Sequence, residues 1–246
     1  MENVTFDRRS LRLSGTLMLA GQLLYIIVTL FHAGGDANNH HDIFAIYAAN
    51  AIWTTVHLAQ FAAMAILLAG LFALFFALDN QARPARWAAR FGAATTVATL
   101  ALYGVVQAVD GVALKQAVNA WANAPETEKA ARFATAEALR WLEWGTRSYQ
   151  NFALAFAFLL FAAALARTAG MPRLVASLMA LSSLTYVAQG WIGATEGFTQ
   201  RHASAIVLSW VLNLLWMSWL IVASSRAQRL TEPDAVRTRP AMWPAM

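Results

Sequence analysis

Six apolar runs divide the chain, at residues 13–31, 53–78, 91–110, 145–166, 174–195 and 203–223. Each approaches the ~20 residues a helix needs to cross the hydrocarbon core of a bilayer. Arginine, proline and glycine punctuate the gaps, with Arg83, Pro84, Arg86 and Arg90 in one and Arg167, Gly170, Pro172 and Arg173 in another. The pattern predicts an all-α fold: a polytopic membrane protein whose six-transmembrane-helix bundle occupies residues 1–225. A cytoplasmic tail, residues 226–246, carries four arginines beside prolines and is expected to be disordered. Between the third and fourth runs, residues 115–143 are polar. Within them, residues 126–140 read as an amphipathic helix on the outer surface, with Phe133, Leu139 and Trp141 turned inward.

The polar residues inside the runs are not scattered. Gln22, Tyr25, Thr29 and His32 recur at steps of three and four, as do His57, Gln60 and Met64 in the second run. The third run has Thr96, Thr99, Tyr103, Gln107 and Asp110, and the fourth has Glu143, Arg147 and Asn151. The fifth has Ser182, Tyr186, Gln189, Gly193 and Glu196, and the sixth has Ser209 and Asn213. Residues at these steps share one helix face. A polar stripe facing lipid is costly, because hydrocarbon offers no partner. The stripes are therefore expected to turn toward one shared cavity that opens at one rim and has an apolar floor.

Composition agrees with a membrane protein: 59% of residues are hydrophobic and 13% charged, against roughly 25% charged in soluble domains. The net charge of +5 does not mark a nucleic-acid partner, since the basic residues sit at the ends of the apolar runs. The absence of cysteine excludes disulfides, zinc–thiolate and iron–sulfur sites. The first run is longer than a signal-peptide core and reads as a retained span. Twelve basic residues fall on one side of the six-pass topology and six on the other. That bias places both termini in the cytoplasm and the five histidines outside.

Four of those histidines lie between His32 and His57, together with Asp36 and Asp42. His32, His57, Asp36 and His202 are the candidate ligands of a divalent transition metal, because imidazole and carboxylate suit zinc, iron, manganese or copper. A haem between two histidines is the lesser alternative. The competing reading is of loop and interfacial histidines with ordinary hydrogen-bond partners, and no HxxxH or ExxH pair is present. Asp110 and Glu196, carboxyl groups near the boundary, are candidate proton donors, with His57, Tyr103 and Tyr186 completing a catalytic set. Gln60, Gln107, Gln189, Arg147 and Asn151 would position a substrate, and Trp144 and Trp191 would wall it. The plainer reading of the tryptophans is an interfacial belt, and that of Glu143 and Arg147 a pair along one helix.

These features point to an enzyme embedded in the lipid bilayer that acts on a lipophilic small molecule, such as an isoprenoid, a sterol-like compound or a fatty chain. Its chemistry would be acid–base or metal-assisted. A small proton-coupled transporter or channel is the first alternative, prompted by a faint echo between Tyr103, Gln107, Asp110 and Tyr186, Gln189, Glu196. A non-enzymatic metal, haem or lipid binding or sensing protein is the second.

Several longer motifs stand out: His-Ala-Gly-Gly-Asp-Ala-Asn-Asn-His from residue 32, Val-His-Leu-Ala-Gln-Phe from residue 56 and Gln-Ala-Val-Asp-Gly-Val-Ala-Leu-Lys-Gln from residue 107. Trp-Leu-Glu-Trp-Gly from residue 141 and Ala-Gln-Gly-Trp from residue 188 join them. Through them the chain resembles uncharacterised bacterial six-span integral membrane proteins over its whole length. The resemblance implies a bacterial inner-membrane location and carries no activity or site residues with it.

Overall fold

A computed structural model describes residues 7–229. They form eight α-helices: α1 (Arg8–Thr29), α2 (His40–Ala49), α3 (Trp53–Leu78), α4 (Arg83–Ala108), α5 (Lys115–Ala122), α6 (Glu126–Ala166), α7 (Arg173–Glu196) and α8 (Gln200–Arg229). A π-helical turn, Val109–Leu114, joins α4 to α5 without a break. Among the described residues, six helices are long and apolar enough to cross a membrane, and the protein is a multi-pass membrane protein. Most of the expected tail lies outside the described residues; α8 reaches Arg229.

Local chemistry sets the helix boundaries. The Asp7 carboxylate accepts from the Arg9 and Ser10 amides at 3.1 and 3.2 Å and so caps α1. Pro84 sits in the first turn of α4, and Pro125 and Pro172 directly precede α6 and α7, where a missing N–H costs nothing. Gly197 ends α7 at φ +72°, a conformation that side chains with a Cβ resist.

Small residues hold the bundle together, as lipid supplies no hydrophobic drive between helices. Gly21 of α1 lies against the backbone of Ala63 and Leu67, and Ser14 Oγ donates to the Gly70 carbonyl at 2.8 Å, fixing α1 to α3. Gly15 meets Ile221, so the start of α1 and the end of α8 share one end of the bundle. The apolar core is built from Met18, Leu67, Leu71, Phe158, Phe161, Trp216 and Leu220. Leu58, Phe76, Phe91, Phe156 and Leu184 are exposed on the outer faces, as a lipid-facing surface requires.

The continuous α4–α5 rod has 40 residues and α6 has 41. At 1.5 Å per residue each is about 60 Å long, twice the ~30 Å hydrocarbon core. The surplus, joined by α2, makes a lobe at the end opposite the start of α1 and the end of α8, with its own core of Ile43, Phe44, Tyr47, Trp53, Leu114, Val118, Trp121 and Ala136. Here the structure departs from expectation. Residues 126–140 are the outer part of α6 rather than a separate surface helix, and α2 is a helix within what reads as a loop. The physical reason is the lobe core. Phe133 and Leu139 pack against it, so the amphipathic face is buried on protein.

Candidate functional site

A cavity of about 390 Å³ opens where the bundle meets the lobe. Tyr25, Thr29 and His32 reach it from α1 and its end, Ile43 and Tyr47 from α2, Gln60 from α3, and Asp110 from the π-turn. Arg140, Glu143 and Arg147 contribute from α6, and Phe198, His202, Ile206 and Trp210 from the α7–α8 turn and α8. A chamber of about 40 Å³ borders it and shares Tyr25, Arg147, His202 and Trp210. Gln22, Tyr103, Gln150, Asn151, Tyr186, Gln189 and Ser209 line this second chamber. Part of each polar stripe therefore converges, in two adjoining spaces. Next to the smaller one, Asn213 donates to Gln22 Oε1 at 2.8 Å and to the Tyr186 hydroxyl at 3.0 Å, and accepts from Ser182 Oγ and Trp216 Nε1.

A chain of buried ions runs along the cavity wall. His57 Nε2 lies 3.0 Å from Asp110 Oδ2, and both residues are at most 2% exposed. Arg147 spans from Asp110 Oδ2 to Glu143 Oε1, at 3.2 Å each. Arg140 pairs with Glu143 Oε2 and donates to the Ala37 carbonyl at 3.3 Å. Its guanidinium lies 4.7 Å from the centre of the Phe198 ring and 5.5 Å from that of Tyr47. Two arginines balance two carboxylates, which makes such dense burial of charge tolerable; removing one member costs roughly 3–5 kcal/mol.

The π-turn aims Asp110 into this chain. A π-bulge leaves backbone carbonyls without helical partners, and such bulges recur at functional sites. Trp53 Nε1 donates to the Asp110 carbonyl at 2.9 Å and Thr54 Oγ1 to the Gly111 carbonyl at 3.1 Å. Both donors sit in the first turn of α3, one turn before His57. Gly111 then meets His57 so closely that an added Cβ would lie 2.6 Å from the His57 Cβ. Lys115 donates to the Tyr47 and Ala48 carbonyls at 2.6 and 2.8 Å, closing the end of α2.

His57 and His32 are each oriented by one ring nitrogen. His57 Nδ1 donates to the Trp53 carbonyl at 2.8 Å and His32 Nδ1 to the Ala33 carbonyl at 3.1 Å. A carbonyl only accepts, so both Nδ1 atoms carry hydrogen; His32 lines the main cavity, whereas His57 borders the groove between α3 and α4 and meets the cavity only through Asp110. Burial pushes the His32 imidazole down to about 4, so this ring is neutral at pH 7. The ligand atoms of His32, His57 and Asp110 lie within 4.8 Å of one another.

The other sequence-predicted residues are spread more widely. Gln60 lines the main cavity and donates to Thr29 Oγ1 at 3.1 Å. Tyr103, Tyr186, Gln189 and Asn151 line the smaller chamber, and Arg147 and His202 touch both spaces. Gln107 faces a different groove, between α3 and α4, and neither atom of its buried amide has a partner. Trp144 stands outside the cavity lining, stacked edge-on against Phe198 and His40. Asp36, Glu196 and Trp191 are not brought to the site. Asp36 accepts from the Asn38 amide at 3.1 Å in an exposed turn. Glu196 pairs with Arg201 at 2.9 Å on the surface. Trp191 is 65% exposed on the outer face of α7. Of the loop histidines, His40 contacts Glu137 at 2.8 Å and ties α2 to α6, and His41 is exposed.

Arg140, Phe198 and Tyr47 were not legible as site residues. Arg140 is on the same helix face as Glu143 and Arg147, at steps of three and four, and that spacing was the available signal. Comparison with family models, curated proteins and solved structures finds no match.

Proposed function

We propose that the protein is a membrane-embedded enzyme that acts on a lipophilic substrate at the His57–Asp110 pair, in a bacterial inner membrane with the lobe on the extracytoplasmic side. The observation that carries this reading is a buried, charge-balanced cluster set against a cavity whose remaining wall is largely apolar. Ala33, Ile43, Ile206, Val207 and Trp210 offer the surface for a hydrocarbon chain. The volume lies in the range of sites that hold small organic ligands. Asp110 lies 27 residues along the α4–α5 rod from Arg83 and Arg147 lies 19 residues before the end of α6. At the helical rise these are ~40 and ~30 Å, which puts the cluster near the bilayer boundary. A lipophile with a polar head would place its chain among the apolar residues and its head beside Asp110 and Arg147.

The chemistry follows from the pair. With hydrogen on Nδ1, His57 can exchange a proton only through Nε2, which lies 3.0 Å from Asp110 Oδ2, and Asp110 in turn lines the cavity. His57 is the candidate general acid or base, Asp110 orients it, and Arg147 stabilises negative charge on a substrate head. Two observations favour this over transport. The bundle beyond the chambers is packed with Leu71, Leu74, Phe158, Phe161 and Trp216, and Gln22, Ser182 and Tyr186 are tied together by Asn213. The bias of basic residues supports the orientation.

The test compares lipid extracts of cells carrying the wild-type protein with cells carrying His57→Ala, Asp110→Asn or no protein. A lipophilic species should accumulate equally in the two variants and the deletion. A wild-type extract matching the deletion, with protein confirmed in the membrane, would overturn the catalytic reading.

A further inference from the structure

We infer that His32, His57 and Asp110 form a binding site for one divalent transition metal, with zinc and ferrous iron as the class it suits. The inference rests on the reading of the cavity as a working site. It deepens that reading by naming the cofactor class: with an ion bound, His57 Nε2 would serve as a ligand rather than as the acid–base group, and that role would pass to the ligand in the open position.

Four observations converge. The ligand atoms of the three residues lie within 4.8 Å of one another, close enough for one ion to touch all three after side-chain adjustments. Both imidazoles spend Nδ1 on a backbone carbonyl, at 2.8 and 3.1 Å, which is the outer-shell arrangement that orients a metal-binding histidine through Nε2. Asp110 Oδ1 is buried without a hydrogen-bond partner, while Oδ2 serves Arg147. His57 Nε2 is likewise buried and makes no aligned hydrogen bond, although Oδ2 is 3.0 Å away. Two buried atoms of metal-ligating type are thus left with unspent capacity beside a third residue of the same kind.

The donor set selects the ion. Two imidazoles and one carboxylate suit zinc, ferrous iron, manganese or cobalt, and disfavour calcium or magnesium, which prefer oxygen. Three protein ligands leave coordination positions for water or substrate, as in catalytic rather than structural sites. His32 and Asp110 both line the main cavity, so those positions face it. Arg140 and Arg147 balance Asp110 and Glu143, so a divalent ion brings uncompensated positive charge. That surplus favours hydroxide or an anionic substrate head as the remaining ligand. Arg147 keeps Oδ2 and holds the carboxylate in place.

The experiment uses the full chain in detergent micelles, with any affinity tag removed, stripped with chelator and reloaded with Zn²⁺ or Co²⁺. Elemental analysis should find about one zinc per chain, and Co²⁺ should give visible absorption of low-symmetry coordination. His32→Ala, a partly buried residue beyond the end of α1, and Asp110→Asn should each weaken binding by roughly tenfold or more. His41→Ala should bind as the wild type does. Circular dichroism and size-exclusion profiles show which variants stay folded, and His32→Ala is the variant that keeps the test sound if Asp110→Asn does not. Wild-type protein that takes up no metal, or binding unchanged in folded His32→Ala, overturns the site. Metal-free protein that still alters the lipid profile would overturn the metal and leave the catalytic reading. Metal bound stoichiometrically by a protein that changes no profile would do the reverse.

Discussion

Gly111→Ala would report directly on how the site is assembled. An alanine Cβ at this position would sit 2.6 Å from the His57 Cβ and 3.0 Å from its Cγ. Both atoms are near the α3 backbone, so no flexible tip can swing aside. Ordinary carbon contacts begin near 3.5 Å, and α3 must therefore separate from the π-turn by about 1 Å. Overpacking of this kind costs roughly 1–3 kcal/mol. It also lengthens the 3.0 Å His57–Asp110 contact to ~4 Å, and a 1 Å misplacement at a reacting group costs on the order of 100-fold in rate. Gly145→Ala is the matched control, since nothing lies within 4 Å of its added Cβ and alanine favours a helix interior by about 1 kcal/mol. Thermal melting in detergent should show Gly111→Ala destabilised and Gly145→Ala unchanged or stabilised, and Zn²⁺ titration should show weakened binding only in the first. If Gly111→Ala melts and binds as wild type, the close packing of the π-turn on His57 does not position the site.

Glu143→Gln removes the carboxylate shared by Arg140 and Arg147; a loss of about 3–5 kcal/mol is expected in chemical unfolding, and a change under 1 kcal/mol would contradict the buried network. Glu196→Ala breaks only the surface pair with Arg201, so unfolding should shift by less than about 0.5 kcal/mol and the lipid profile should not change. Gly21→Leu puts side-chain atoms into the backbone of Ala63 and Leu67 and should abolish recovery of folded protein, as judged by monodispersity after extraction. Accepting from the Ser10 hydroxyl and amide holds the Asp7 carboxyl below its ordinary range. Its cap therefore stabilises α1 above that range and fades as pH falls through the folded-state value. Asp7→Ala should cost about 1 kcal/mol at pH 7 and less at pH 3 in parallel melts.

The six long helices were legible because hydrophobic length survives in a linear reading, and so were the stripes, because steps of three and four need no tertiary information. His57, Asp110 and Arg147 stood in those stripes and meet as the pattern suggested. Asp36 and Glu196 were drawn in by their chemistry and their closeness to histidines in the chain. Their side chains are instead spent on the Asn38 amide and on Arg201. The partner that His32 and His57 find is Asp110, more than fifty residues further on, brought in by contacts of Trp53 and Thr54 with the π-turn. Arg140 was hidden for another reason. An arginine among Glu126, Glu128, Lys129 and Arg132 reads as a solvated surface, and only the lobe core and Phe198 turn it into a buried residue at 2% exposure.

The wide turn at Val109–Leu114 also acts as a phase shifter. Each residue of an α-helix advances the side-chain direction by about 100°, so one extra residue in a turn rotates everything beyond it by that amount. Before the turn, the rod presents Tyr103 to the bundle interior; past it, Leu114, Val118 and Trp121 look toward α2. Deleting one residue from this turn would let the rod relax to regular α-helix, and the lobe would then address its partner with the wrong side. Two cores that face different directions can thus be served by a single uninterrupted rod, with the carboxylate lodged at the seam where the direction changes.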